Sequence, residues 1–344
     1  MPLTPRSGFG KIHGKRGRCL SLKPIGGGVA MRKAVKLMLF LLLAHFMILS
    51  LASAEEEGFV SIFNGKDLTG WDGDPRFWSV VDGAIRGQTT WQDLPRQNTF
   101  CIWRGGKLKN FILKIKFRIQ NGNSGIQYRS REIGKWRVAG YQAEVENSPG
   151  KVGFLYDEAG RGRIANVGEF VLVDKDGKRN VLGNVSDRDA LIKAGYYKEK
   201  DWNEYTIICR GNHIVHILNG FQTVEVIDED TKGRAMEGLL ALQIHVGPPM
   251  LVEFKDIRVK HLPDHFGEAK ILFNGKDLSG WTFSSDEMKG VWSVKDGVLV
   301  NKGKPAGYIR TTEDYTNYVL RLQLRHVTAG NGGVLLRMVG PDKV

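Results

Sequence analysis

Apolar and polar residues alternate most cleanly in the run from Phe111 to Ile119. There Phe111, Leu113, Ile115, Phe117 and Ile119 interleave with Ile112, Lys114, Lys116 and Arg118. Alternation of period two predicts a β-strand buried on one face. Glu204–Arg210 and His213–Leu218 flank Gly211-Asn212, and Asn219-Gly220 follows, so two hairpin turns are predicted in succession. Gly238–Val246 and Leu251–Lys260 read as two further strands. One short helix is expected, with Ser186 as N-cap, Asp189 in its first turn and Gly195 past its end. Many short strands with Gly-rich turns over about 200 residues predict an all-β sandwich of jelly-roll type.

Three of these strands carry polar pairs two positions apart. They are Gln127 and Arg129 in SGIQYRS, Gln142 and Glu144 in GYQAEVE, and Gln243 and His245 in ALQIHVG. Residues i and i+2 share a face. The intervening Ile126, Tyr128, Tyr141, Val145, Ile244 and Val246 supply the opposite, apolar face. Stacked in one sheet, such strands line a polar groove suited to sugars. A solvated face of an antiparallel sheet also alternates, so the pattern alone leaves both readings open.

The N-terminal residues change the charge picture. Arg32, Lys33 and Lys36 precede the apolar run Leu37 to Leu51, and Ala52-Ser53-Ala54 follows. This is the pattern of a secretory signal peptide, about residues 31–54. The run is too short for a stable membrane span, and export to the periplasm or exterior is expected. Residues 1–54 hold nine Lys or Arg and no Asp or Glu, so the formal charge of +13 falls to +4 without them. The remaining charges are interspersed, and nucleic acid is not an expected partner. Cys101 and Cys209 both lie in apolar strands. They are either a disulfide of an exported protein or two buried thiols.

The chain also repeats itself. SIFNGKDLTGW at Ser61–Trp71 returns as ILFNGKDLSGW at Ile271–Trp281, and FWSVVDGAI at Phe77–Ile85 returns as VWSVKDGVL at Val291–Leu299. A more distant match joins Asn110–Arg129 to Asn317–Arg337. An offset near 210 residues indicates tandem domains, because solenoid repeats are far shorter. The expected organisation is a β-sandwich at 55–262, a linker at 263–270 and a truncated second copy at 271–344. Leu335 and Leu336 replace Gln127 and Tyr128 in the second copy, so its polar face is partly lost.

Glu144 is the foremost acid/base candidate: it sits mid-strand, where burial raises a carboxyl pKa. An ion pair with Arg129 is the structural alternative. His245 is a second acid/base group or a ligand, and Arg129 is placed to hold an oxyanion. The loop YDEAGRGR brings Asp157, Glu158, Arg161 and Arg163 around two glycines, either closing over a ligand or forming an exposed turn. Trp136, in the polar run REIGKWRVAG, is a candidate for stacking on a sugar ring. A glycosidase needs two carboxylates roughly 5–9 Å apart. Glu144 and Glu146 are close enough, but Asn147-Ser148-Pro149 follow where laminarinase-like strands carry a third acid. No CxxC or HExxH is present, which removes the strong zinc motifs.

FNGKDLTGW, FWSVVDGAI, NGNSGIQYRS, GYQAEVE, YDEAGRGRIA, WNEY, ILNG and LALQIHVGPPMLVEFKDIRVK together resemble the 3-keto-disaccharide hydrolase family. The resemblance covers about Gly58 to Leu262 and the second copy. It implies a concanavalin A-like jelly roll and a substrate already oxidised at C3 by a separate glycoside 3-dehydrogenase. It implies Glu144 as base or proton shuttle, Arg129 or a bound divalent metal ion as enolate stabiliser, and His245 as acid or metal ligand. Gln127, Gln142 and Gln243 would hold sugar hydroxyls, with Tyr128, Trp136, Glu158, Arg161 and Arg163 completing the substrate site. The alternative function on the same fold is a lectin-type carbohydrate-binding module without chemistry.

Overall fold

Alternation along the chain translates directly into two layers. A computed structural model describes residues 56–264, 268–328 and 330–338. The described residues from 57 onward belong to one compact unit; the signal-peptide expectation lies outside the described residues. In chain order the first strands are β1 (Val60–Ser61), β2 (Trp71–Asp72), β3 (Trp78–Val81), β4 (Ala84–Gln88), β5 (Thr99–Trp103), β6 (Phe111–Asn121), β7 (Asn123–Gly134) and β8 (Arg137–Glu146). Then come β9 (Leu155–Glu158), β10 (Gly162–Ala165), β11 (Glu169–Val173), β12 (Arg179–Asn184), helix α1 (Arg188–Lys193), β13 (Asn203–Arg210), β14 (His213–Leu218), β15 (Phe221–Asp228), β16 (Leu239–Ile244) and β17 (Leu251–His261).

The larger sheet runs β12-β11-β15-β14-β13-β6-β17-β4-β3, with β1 also paired to β17. The smaller runs β10-β9-β8-β7-β16-β5-β2. The core lies between them. Leu113, Ile115 and Phe117 of β6 and Ile207 of β13 meet Ile126, Tyr128, Ala143, Leu242 and Ile244 of the smaller sheet. The fold is an all-β sandwich, as the sequence predicts. Both turn predictions hold: Arg210 pairs with His213 across Gly211-Asn212, and Leu218 pairs with Phe221 across Asn219-Gly220. Positive φ at Asn219 and Gly220, 50° and 86°, is what such two-residue loops require.

One local expectation changes and one open alternative is settled. The helix is capped by Asp187, whose side chain accepts from Ala190 N at 2.7 Å; Ser186 instead donates to Gln222 O. Cys101 and Cys209 are both buried free thiols. Burial pushes the Cys209 thiol up to about 11, so it is inert at neutral pH.

C-terminal to β17, β18 (Trp281–Phe283), β19 (Trp292–Lys295), β20 (Val298–Asn301) and β21 (Ile309–Thr311) form two small antiparallel pairs, β18 with β21 and β19 with β20. The turn at the start of the first copy recurs here. Asn64 Oδ1 accepts from Lys66 N and Asp67 N at 2.8 and 3.0 Å, and Asn274 Oδ1 accepts from Lys276 N and Asp277 N at the same distances. Residues 317–328 and 330–338 form no strand.

Candidate functional site

The outer face of the smaller sheet carries the polar groups. On β16, Leu240, Leu242 and Ile244 enter the inter-sheet core, so Ala241, Gln243 and His245 face outward. On β8, Tyr141, Ala143 and Val145 enter the core, which sends Gln142 and Glu144 outward. The end of the β7–β8 hairpin curls over this face. Phe100 N donates to Trp136 O at 2.9 Å, and Phe100, Ile102, Val138 and Ala241 form a small second apolar cluster there.

A groove of about 320 Å³ opens beside that cluster, lined by Asn98, Asn123, Gln142, Glu144, Phe154, Tyr156, Glu158 and His245. Glu144 is 4% exposed. Its Oε1 accepts from Asn123 Nδ2, and its Oε2 accepts from Gln142 Nε2 at 2.8 Å in the ionised form. Burial outweighs these amide donors and pushes the carboxyl up to about 7, with Glu146 adding to the rise and Arg163 opposing it. A carboxyl poised there serves as acid or base at neutral pH. Gln142 can lie against β7 because position 125 is glycine: a Cβ there would sit 2.2 Å from Gln142 Cδ. Across the groove Asn98 is a bracket. Its Nδ2 donates to Glu158 Oε1 at 2.8 Å, and its Oδ1 accepts from Val246 N at 2.9 Å, fixing the backbone beside His245.

Of the residues expected from the sequence, Glu144, Gln142, Glu158 and His245 meet in this groove. Arg163 stands at its margin, its guanidinium 4.0 Å over the Phe154 ring. Gln127 lies one layer down, bonded to Gln142 at 2.5 Å and closed off from solvent. Gln243 is buried, and neither of its amide atoms has a hydrogen-bond partner in the structure.

Gln127 and Gln243, both closed off from solvent, do not line the groove as ligands for sugar hydroxyls, and four further expectations are corrected. Arg129 is absent from the groove. It adopts φ of 48° in a β-bulge between Tyr128 and Arg131, which reverses its direction. Its guanidinium donates to Lys109 O at 2.8 Å, Gly211 O at 2.7 Å and Ala235 O at 3.4 Å. It therefore neither pairs with Glu144 nor reaches a groove ligand. Tyr128 belongs to the core, its hydroxyl 2.7 Å from His216 Nε2. Trp136 is held at the hairpin tip by Nε1 donating to Asp72 Oδ1 at 2.7 Å. Arg161 turns away to Asp157 (2.8 Å), Asp228 (2.8 Å) and Asp230 (3.2 Å), so the YDEAGRGR segment sends Tyr156, Glu158 and Arg163, but not Arg161, toward the groove.

Asn98, Asn123, Phe154 and Tyr156 were not expected from the sequence. Both asparagines sit at strand ends, where Asn is common for backbone reasons alone. The spacing of Tyr156 and Glu158, i and i+2 on β9, was the one signal that could have placed Tyr156 beside Glu158. Among the described residues no cluster of three or more His, Cys, Asp or Glu is arranged to hold a metal ion. Glu144, Glu158 and His245 line one groove but are not arranged as a divalent-metal site.

A family model for the 3-keto-alpha-glucoside-1,2-lyase-like domain matches residues 58–260 and 268–344. A protein of Bacteroides thetaiotaomicron named 3-keto-disaccharide hydrolase is 31% identical over 87 residues, 23% of this chain and 30% of that protein. The match thus spans less than a third of that relative's length. A crystal structure from Parabacteroides distasonis, described as a candidate glycosyl hydrolase, aligns at TM-score 0.40 and 20% identity over 59% of this chain and 99% of that one. A carbohydrate-binding module from Bacillus subtilis aligns at TM-score 0.37 and 13% identity over 56% and 95%.

Proposed function

Since the chain belongs to the 3-keto-alpha-glucoside-1,2-lyase-like family, we propose that it cleaves glycosides already oxidised to a ketone at C3, with Glu144 as the proton-transfer group. Family membership points to carbohydrate processing in general; the observation that carries the finer reading is the state of Glu144. It is a buried carboxyl in an amide-lined groove, held by two neutral donors and by no cation.

A C3 ketone acidifies the hydrogen on C2. The Glu144 carboxylate takes that proton, and the C2–H electron pair delocalises into the C3 enolate. Collapse of the enolate forms the C1–C2 double bond and expels the C1 oxygen substituent, which takes up a proton. Water adding across the double bond completes a net hydrolysis. The elimination needs a base, a hydrogen-bond donor for the enolate and a proton for the leaving oxygen. Arg129 is out of reach for the second role, so the neutral donors Asn123 and Asn98 take it, and His245 supplies the leaving-group proton. Gln142, Tyr156 and Glu158 hold hydroxyls. The basic, apolar and small-residue order of residues 31–54 supports export, and a glycoside 3-dehydrogenase would supply the substrate.

The test is product analysis by NMR, with 3-keto-trehalose and unoxidised trehalose in parallel. Release of glucose or a 2-hydroxy-glycal from the keto sugar alone, abolished in Glu144→Gln, is the expected result. Turnover of neither sugar, or full turnover by a folded Glu144→Gln protein, overturns the reading. Tryptophan-fluorescence shifts without product would mark a binding module.

A further inference from the structure

Glu144 is the last member of a buried chain of side chains, and the far end of that chain has a fixed polarity. One terminal atom of the Gln127 amide lies 2.9 Å from Ser130 Oγ, 3.3 Å from Gly140 O and 3.2 Å from Tyr141 O. Two of these neighbours are backbone carbonyls, which only accept. The atom facing them is satisfied as the NH2 group and repelled as the oxygen. Ser130 fits either polarity: its hydroxyl donates to a Gln127 oxygen at 2.9 Å, or donates to Tyr128 O at 3.3 Å while presenting a lone pair to a Gln127 nitrogen, so the two carbonyls decide.

The consequence passes along the chain. With its nitrogen on the carbonyls, Gln127 turns its oxygen to Gln142, 2.5 Å away. Gln142 must then offer its NH2 to Gln127 and its own oxygen to Glu144 Oε2 at 2.8 Å. Two oxygens at that separation need a proton between them, which Glu144 carries and donates. Asn123 continues to donate to the other carboxyl oxygen. Every amide in this arrangement is satisfied. The reverse polarity suits an ionised Glu144 but leaves the Gln127 oxygen against two carbonyls.

We propose that Gln127 is a positioning residue for Glu144: through Gln142 it favours a proton on Oε2, and both amides turn over when that proton leaves. Gln127 is 0% exposed and touches no ligand, so this effect is indirect. The proposal rests on Glu144 as the proton-transfer group only for its catalytic meaning; the protonation equilibrium itself can be measured without substrate. The other groups facing Glu144 are Glu146 on its own strand, Arg163 on β10, and Tyr156, Glu158 and His245 around the groove. From β13, the Tyr205 hydroxyl reaches only the Glu144 backbone oxygen, at 2.6 Å. None of these changes when Gln127 is replaced.

The experiment is Gln127→Met in the full chain, which keeps side-chain length and removes the amide. Gln142 is then free to donate to the carboxylate. Glu144 titration, followed by carboxyl 13C NMR and assigned with Glu144→Gln, should move to lower pH by about one unit, a tenfold change in the proton equilibrium. The acid limb of kcat/KM for the 3-keto sugar, which reports the free enzyme, should move by the same amount. Gln127→Leu, which also removes the amide, should shift both in the same direction by a similar amount, and serves if Gln127→Met does not fold. A folded variant whose Glu144 titration is unchanged or moves upward overturns the proposal. If the titration moves as expected but no keto sugar is turned over by the parent protein, the relay stands and the functional reading falls.

Discussion

Replacing Arg129 by alanine removes a guanidinium that is 1% exposed and bound by carbonyls from three separate segments. Lys109 precedes β6, Gly211 forms the β13–β14 turn, and Ala235 precedes β16. The bond to Gly211 O is buried and those to Lys109 O and Ala235 O are partly so, and each buried acceptor left without a donor costs roughly 1–3 kcal/mol. With Lys109 O and Gly211 O as the two close acceptors, the expected destabilisation is about 3–5 kcal/mol. At a urea dependence of about 2 kcal/mol per molar, the unfolding midpoint falls by roughly 1.5–2.5 M. Arg129→Lys keeps the charge but loses the fork, and recovers about half of this. Turnover per folded molecule should survive both changes, because the guanidinium points away from the groove. A folded Arg129→Ala protein with the parent urea midpoint and no turnover would refute the reasoning, and would return Arg129 to the chemistry.

Three further outcomes are expected. Glu144 has a folded pKa of about 7 against an ordinary 4.5, so the native state binds the extra proton; its stabilising contribution is full below pH 4.5, declines as pH rises, and is gone above about 7. Glu144→Gln should therefore gain on the parent by about 3 kcal/mol across that window, and denaturation curves showing a pH-independent gap would contradict it. Arg161→Met leaves Asp157, Asp228 and Asp230 crowded without their cation. It should cost about 3–5 kcal/mol at neutral pH and less in acid, where the carboxylates protonate, as thermal melts at two pH values would reveal. Gly125→Ala drives a methyl into Gln142; displacing that amide should lower kcat/KM on the order of a hundredfold, whereas parent-like kinetics would show that Gln142 plays no part.

The legible parts of this chain are those where a strict period survives folding. β6 keeps its alternation from end to end, buried at each odd position from Phe111 to Ile119, and the register of β8 places Gln142 and Glu144 together as the spacing predicts. β7 breaks the rule at one residue. The bulge at Arg129 inserts an extra position, and the i,i+2 argument that joined it to Gln127 fails there. Arg161 was misplaced for a related reason. A glycine-rich turn sets no side-chain direction, and two of its three carboxylate partners come from Asp228 and Asp230, remote in sequence. Asn98 and Asn123 escaped notice because a strand-end asparagine looks the same whether it caps a turn or grips a ligand. The relay through Gln127 was invisible for a deeper reason, since it depends on which end of an amide meets two carbonyls.

The tip of the β7–β8 hairpin is fastened from outside. Trp136 holds Asp72 and Phe100, and Arg104 spans Asp72 and Glu132 at 2.7 and 2.8 Å. None of these bonds draws on the side chains packed between the sheets. Ile133, Arg137 and Val138 also form the wall of the cavity that continues past His245 and Asn98. The tip is thus an exchangeable jaw. Its length and side chains can be rewritten to reshape that wall, while Glu144 and its buried supports stay as they are.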